Sequence, residues 1–202
     1  MSAREPMAMP ARDEILAALG GAIAAPAPLP LYAPEPARDT DLFARFAASL
    51  AAAGGHARAL RAGASLADAV AADTGFASAT RVWSSLPEIP SRHPVGPPHG
   101  PHDLDGTDVA LLRGALGVAE SGAVWWTPRD ALERAAAFLS ERVVMVVPRA
   151  ALVADLHAAY ARIDVAASPF GCFVCGPSKT ADIEQALVIG AHGPRALTVW
   201  LA

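Results

Sequence analysis

A chain of 202 residues, 53% hydrophobic and 18% charged, is long enough to bury one sizeable core and has the composition of a globular domain. Its formal net charge of −4, with the arginines scattered, excludes the electrostatic footprint of a nucleic-acid binder or of a protein held on an anionic membrane.

Residues 17 to 29 form the main apolar run near the N-terminus. Asp13 and Glu14 precede it and Pro26, Pro28 and Pro30 interrupt it, which does not fit a secretory signal, so a cytoplasmic protein is expected. No other run approaches the length needed to span a bilayer. A short helix from Arg12 to Ala22, with Ile15 and Leu19 at i, i+4, explains the run better, and Pro26 to Pro36 then reads as an extended linker. The expected organisation is an N-terminal helix and linker over 1–36 and one α/β domain over 37–202.

Asp39 or Thr40 can cap a helix reaching about Ala53, with Leu42, Phe46 and Leu50 on one face and Gly54-Gly55 ending it. His56 to Leu60 reads as a strand, Ser65 to Ala72 as a helix with Leu66 and Val70 inward, and Ala79 to Trp83 as a strand. This alternation predicts a parallel sheet covered on both sides. Residues 87–103 break it with six prolines and His93, His99 and His102, followed by Asp103 and Asp105. The spacing matches no zinc pattern, and a loop without a metal site is expected.

Val109 to Leu112 is the next strand. Leu116 to Trp126 is apolar except at Glu120-Ser121-Gly122, which predicts two strands around a turn. A carboxylate between buried strands is costly unless it is hydrogen-bonded or used, which makes Glu120 a site candidate; the alternative is a solvent-facing turn. Trp125 and Trp126 must point to opposite faces, so at most one is expected to line a pocket.

Thr127-Pro128-Arg129-Asp130 reads as a helix start with Thr127 as cap and Leu132, Ala136 and Leu139 facing inward. Val143 to Val147 is a strand. After Pro148, a helix from Arg149 to Ile163 would bury Leu152, Leu156, Tyr160 and Ile163, with His157 beside that face.

Phe170 to Val174 reads as a buried strand. If Cys172 and Cys175, three apart, both lie on this strand, they face opposite sides and share neither metal nor disulfide without bending the backbone. Gly176-Pro177-Ser178-Lys179-Thr180 would lead into a buried helix from Ala181 to Ile189, ended by Gly190. Such a turn either holds an anion with backbone N–H groups, Ser178, Thr180 and Lys179, or merely caps the helix, with Asp182 and Glu184 complementing its dipole. It is not a P-loop, because Pro177-Ser178 stand where Lys-Ser/Thr should follow. Leu197 to Leu201 supplies a last strand.

Two blocks carry a resemblance: Gly176 to Gln185 followed by Gly190-Ala191-His192-Gly193-Pro194-Arg195, and Gly117 to Val124 with Ala119-Glu120-Ser121-Gly122 at its centre. They resemble signatures of the LUD-domain family, in a match over roughly residues 105 to 202; Arg113-Gly114-Ala115-Leu116 departs from the family's pattern. The resemblance implies a three-layer α/β/α fold with a mostly parallel sheet, like that of the ribose-phosphate isomerase and coenzyme A transferase group. It implies a part in oxidising L-lactate to pyruvate beside partner proteins that carry iron–sulfur clusters, with no cofactor on this chain. The two cysteines, fewer than the four thiolates a cluster usually takes, agree with a cluster-free component that binds a small anionic ligand or its partners. The candidate ligand-binding residues are Glu120, Ser121, Gly122, Gly176, Ser178, Lys179, Thr180, Asp182 and His192. A second reading makes the chain an enzyme like the coenzyme A transferases, with Glu120 as nucleophile.

Overall fold

The apolar run around Val143 lies in a five-stranded, wholly parallel sheet that separates two hydrophobic clusters. The computed structural model describes residues 11–20, 28, 41–93, 98–181 and 186–202. It divides into two units, Met1–Glu35 and Pro36–Ala202. In the first, α1 (Ala11–Gly20) leaves Ile15, Leu16 and Leu19 exposed and buries none of its residues. The Pro26 to Pro36 linker lies outside the described residues except for Pro28.

The second unit begins with α2 (Leu42–Ala52), β1 (His56–Ala59), α3 (Leu66–Ala71), α4 (Thr74–Ala77), β2 (Val82–Ser84) and β3 (Val109–Arg113). It continues through β4 (Leu116–Val118), β5 (Ala123–Trp126), α5 (Ala131–Leu139), β6 (Arg142–Val147), β7 (Leu152–Val153) and α6 (Leu156–Tyr160). The last elements are β8 (Cys172–Val174), β9 (Lys179–Thr180), β10 (Val188–Ile189) and β11 (Ala196–Leu201).

The parallel sheet has the order β1-β11-β6-β3-β2. Strand alternation sends Val143, Met145 and Val147 of β6 to one face and Val144 and Val146 to the other. The first face packs Phe46 and Leu50 of α2, Ala136 and Ala137 of α5, and a second sheet; the other packs Val70 of α3 and Phe76 of α4. This is the three-layer α/β arrangement, with one outer layer part helix and part sheet. Helices of six and four residues, as α3 and α4 are, cannot stand alone. Their burial holds them, at roughly 1.5–3 kcal/mol for each large apolar side chain removed from water.

The second sheet has the order β7-β4-β5-β8. The expected hairpin is there: β4 and β5 pair antiparallel, Val118 opposite Ala123, around Glu120-Ser121-Gly122. The helix ending near Ala53 is capped by Asp41, whose carboxylate accepts the Ala44 N–H at 3.0 Å; Asp39 and Thr40 lie outside the described residues. Among the described residues of 87–103, Arg92 makes a single bridge to Val82, and a 3-10 turn begins at Pro101.

Several expectations are corrected. The strand expected over Ala79 to Trp83 begins at Val82, after the short helix α4. The helix after Thr127 starts later, because Asp130 takes the cap and accepts the Glu133 N–H at 2.8 Å; Leu139, its last residue, does not face inward but is 47% exposed. No helix runs from Arg149 to Ile163. Leu152 and Val153 instead pair in parallel with Gly117 and Val118, and Asp155 caps the separate α6, which leaves Leu156 and Tyr160 exposed. Nor is Ala181 to Ile189 a buried helix: Thr180 pairs with Val188 and Lys179 with Ile189 in an antiparallel ladder, and Leu187 and Ile189 are exposed. Residues 182–185 lie outside the described residues. Among the described residues, no helix is long and apolar enough to cross a membrane, and no three His, Cys, Asp or Glu cluster as metal ligands.

Candidate functional site

The two signature blocks meet at the C-terminal end of α2. Gly122, at φ 71°, lets its turn approach so closely that a Cβ would collide with the Leu50 backbone. Gly176, at φ 70°, stands in the same way against the Ala53 carbonyl. The Ser49 hydroxyl lies 3.0 and 3.1 Å from the carbonyl oxygens of Ala119 and Glu120 and donates between them. The Cys175 thiol donates to the Ser121 carbonyl at 3.2 Å, joining one block to the other.

Lys179 completes the junction. Its ammonium donates to the Ala53 carbonyl at 2.6 Å, where the last carbonyls of α2 concentrate partial negative charge. Among the described residues, Lys179 and Thr180 pair as a strand with Val188 and Ile189, and no helix N-terminus gathers N–H groups around an anion at this turn. Glu120 is exposed, and its carboxylate accepts the Leu156 N–H at 3.3 Å, at the start of α6. Thr180 lies on β9, and Asp182 falls outside the described residues.

Beside this junction a cleft of about 440 Å³ opens between the parallel sheet, α5 and β8. Trp126, Phe138, Met145 and Phe170 form much of its wall, and Gly176, Ser178 and His192 line it too. The Ser178 N–H donates to the Pro194 carbonyl at 2.8 Å and its carbonyl accepts the Gly190 N–H at 2.9 Å, tying the two halves of the second block together. Of the sequence-derived candidates, then, Gly176, Ser178 and His192 reach the cleft, whereas Glu120, Ser121, Gly122, Lys179 and Thr180 are not part of its lining. Trp125 lines a separate groove with Tyr160 and Phe173, so both tryptophans border cavities, on opposite faces of β5.

One residue of the site escaped the sequence reading. Glu133 is 2% exposed, accepts the Trp126 indole N–H at 3.2 Å and the Arg129 side-chain Nε–H at 2.7 Å, and so fixes the tryptophan that walls the cleft. Its signal was the Asp130-x-x-Glu133 spacing, a capping-box pattern one turn after the one that was read.

Cys172 and Cys175 both line the cleft. β8 ends at Val174, so strand alternation does not extend to Cys175. Burial pushes both thiols up, opposed at Cys175 by the Lys179 charge; both are free.

Three comparisons bear on this arrangement. The LUD domain family model matches residues 102–201. "Lactate utilization protein C" of Geobacillus kaustophilus is 32% identical over 111 residues, 50% of this chain and 46% of that protein. The protein of the same name from Geobacillus thermodenitrificans is 34% identical over 93 residues, 43% of this chain and 39% of its own length. The match thus spans less than half the length of these curated relatives. The crystal structure of a DUF162 family protein from Deinococcus radiodurans shares the fold, with a TM-score of 0.55 and 22% identity over 79% of this chain and 95% of that one. Residues 102–201 of the chain are thus the part that matches the LUD domain family.

Proposed function

We propose that this chain takes part in the use of L-lactate, as a cluster-free component beside partner proteins that carry the iron–sulfur clusters and oxidise lactate to pyruvate. One observation carries the reading: the stretch 102–201, matched by the LUD model, contains every described residue that lines the cleft. The relatives named for lactate utilization supply the process. In this reading the cleft is the ligand site. Gly176, Ser178 and His192 border the ligand, while Glu120, Ser121, Gly122, Lys179 and Thr180 belong to the segments that hold the cleft's loops against α2 and α6.

Deleting the gene and growing the cells on L-lactate as sole carbon source tests the role. Failure to grow, restored by the intact gene, supports it. Normal growth with no second copy in the genome overturns it.

A further inference from the structure

We propose that the cleft takes an uncharged, planar aromatic ring compound rather than L-lactate itself. The inference rests on reading the cleft as the ligand site. Its volume, about 440 Å³, falls in the range of about 300–1,000 Å³ typical of pockets for ring-bearing organic ligands, and leaves a three-carbon acid mostly surrounded by empty space.

Charge argues the same way. Among the described residues that line the cleft there is no lysine, arginine, aspartate or glutamate. Three cations adjoin lining residues in sequence: Lys179 directs its ammonium to the Ala53 carbonyl, Arg195 lies 4.0 Å from the Glu141 carboxylate, and Arg142 lies beside Gly75. His192 is the titratable side chain of the lining apart from the two thiols, so a carboxylate moved from water into such surroundings loses its hydration and meets no permanently charged partner.

The walls favour flat rings. Phe170, part-buried, is the ring at the surface here; the fully buried Trp126 behind it, held by Glu133, meets it edge to face with ring centres 6.4 Å apart and so supports Phe170 before a ligand arrives. Phe138 adds a third ring at the opening. Ser178 is a hydroxyl-bearing residue of the lining, able to donate to or accept from a ring substituent.

Calorimetric titration of the purified chain with 2-naphthol, uncharged at neutral pH, tests the assignment. Cyclohexanol and L-lactate serve as comparisons, and Phe138→Ala and Ser178→Ala as variants. Phe138 is 49% exposed, so its truncation leaves the core intact, which thermal melts check directly. The expected result is saturable one-to-one binding of 2-naphthol, weakened about five- to tenfold by Phe138→Ala and less by Ser178→Ala. Cyclohexanol should bind more weakly, and excess L-lactate should not displace 2-naphthol. No saturable binding, equal affinity for cyclohexanol, displacement by L-lactate, or unchanged affinity in both folded variants would overturn the proposal. Growth of the deletion strain is read separately. A chain required for growth on L-lactate that fails to bind 2-naphthol loses only the ligand class, and one that binds it but is dispensable loses only the role.

Discussion

The ammonium of Lys179 lies 2.6 Å from the carbonyl oxygen of Ala53, so a residue of the second signature block closes the C-terminal end of α2. A cation at that end of a helix contributes about 0.3–1 kcal/mol, toward the low end at an exposed site. Lys179→Ala should therefore lower the melting temperature by about 1–4 °C. It should leave the weak binding of phosphate or acetate, measured by calorimetry, no different from wild type. Lost anion binding without a stability change would restore the anion-site reading.

Gly122 and Gly176 are the positions where a side chain is least tolerable. Both have positive φ, and a Cβ would strike backbone atoms of Leu50 in α2 at Gly122 and of Ala53, the residue that ends α2, at Gly176, none of which can turn aside as a side chain can. Gly122→Ala and Gly176→Ala should each destabilise by about 2 kcal/mol or more in chemical denaturation, combining left-handed strain with the clash. Gly63→Ala is the control: its φ is 76° but nothing lies within 4 Å, so only the strain, about 1 kcal/mol, should appear.

Glu120 separates a structural carboxylate from a nucleophile. It is exposed, hydrogen-bonded to the Leu156 N–H and outside the lining of the cleft. Glu120→Gln keeps an acceptor for that N–H, so stability should change by less than about 0.5 kcal/mol. Intact mass spectrometry after incubation with acyl-coenzyme A donors should show no adduct. A covalent acyl group mapped to Glu120 would establish the transferase reading.

How far the fold was legible follows from which interactions are local. The run Val143 to Val147 and the spacing of Leu42, Phe46 and Leu50 express period two and period 3.6 directly, and the structure shows a central strand and a helix there. The Glu120-Ser121-Gly122 hairpin was legible because its polar turn interrupts two apolar runs. Leu152, Leu156, Tyr160 and Ile163 imitate a helical face just as well, yet Leu152 and Val153 are claimed by Gly117 and Val118, a long-range pairing that local spacing does not encode. The cleft was hidden for the same reason: Trp126, Phe138, Met145 and Ser178 come from separate segments and meet only once the sheet is assembled.

Acid should reveal Asp108. The Arg81 N–H, at 2.9 Å, holds its carboxyl below the usual aspartate range, opposed by burial and helped by the Thr80 N–H at 2.7 Å. A folded-state value below the unfolded one means the ionised group contributes stability that is present above about pH 4 and is lost as the pH falls through the depressed value. Asp108→Asn should flatten the loss of stability in that window, measured by denaturant midpoints at a series of pH values. A residual slope should remain, because Glu88 and Asp103 are depressed as well, chiefly by hydrogen bonds from backbone N–H groups. An unchanged acid limb would show that Asp108 is not coupled to folding.

The pairing of Glu133 with Trp126 can be isolated from everything else the two residues do. Glu133 is 2% exposed and Trp126 fully buried, so replacing Glu133 by an apolar residue strands the indole N–H without water or another acceptor. Glu133→Leu should cost about 1–3 kcal/mol for that orphaned donor, together with the loss of the Arg129 contact. Trp126→Phe removes the donor along with part of the cleft wall. On the Trp126→Phe background, Glu133→Leu should therefore cost less, because no indole N–H remains to be left unsatisfied. A double-mutant cycle by chemical denaturation should give a coupling of about 0.5–2 kcal/mol, whereas Arg129→Ala combined with Trp126→Phe should show a smaller one. Additivity of the Glu133 and Trp126 changes within about 0.5 kcal/mol would mean that the carboxylate does not hold the tryptophan and that the wall of the cleft is fixed by apolar packing alone.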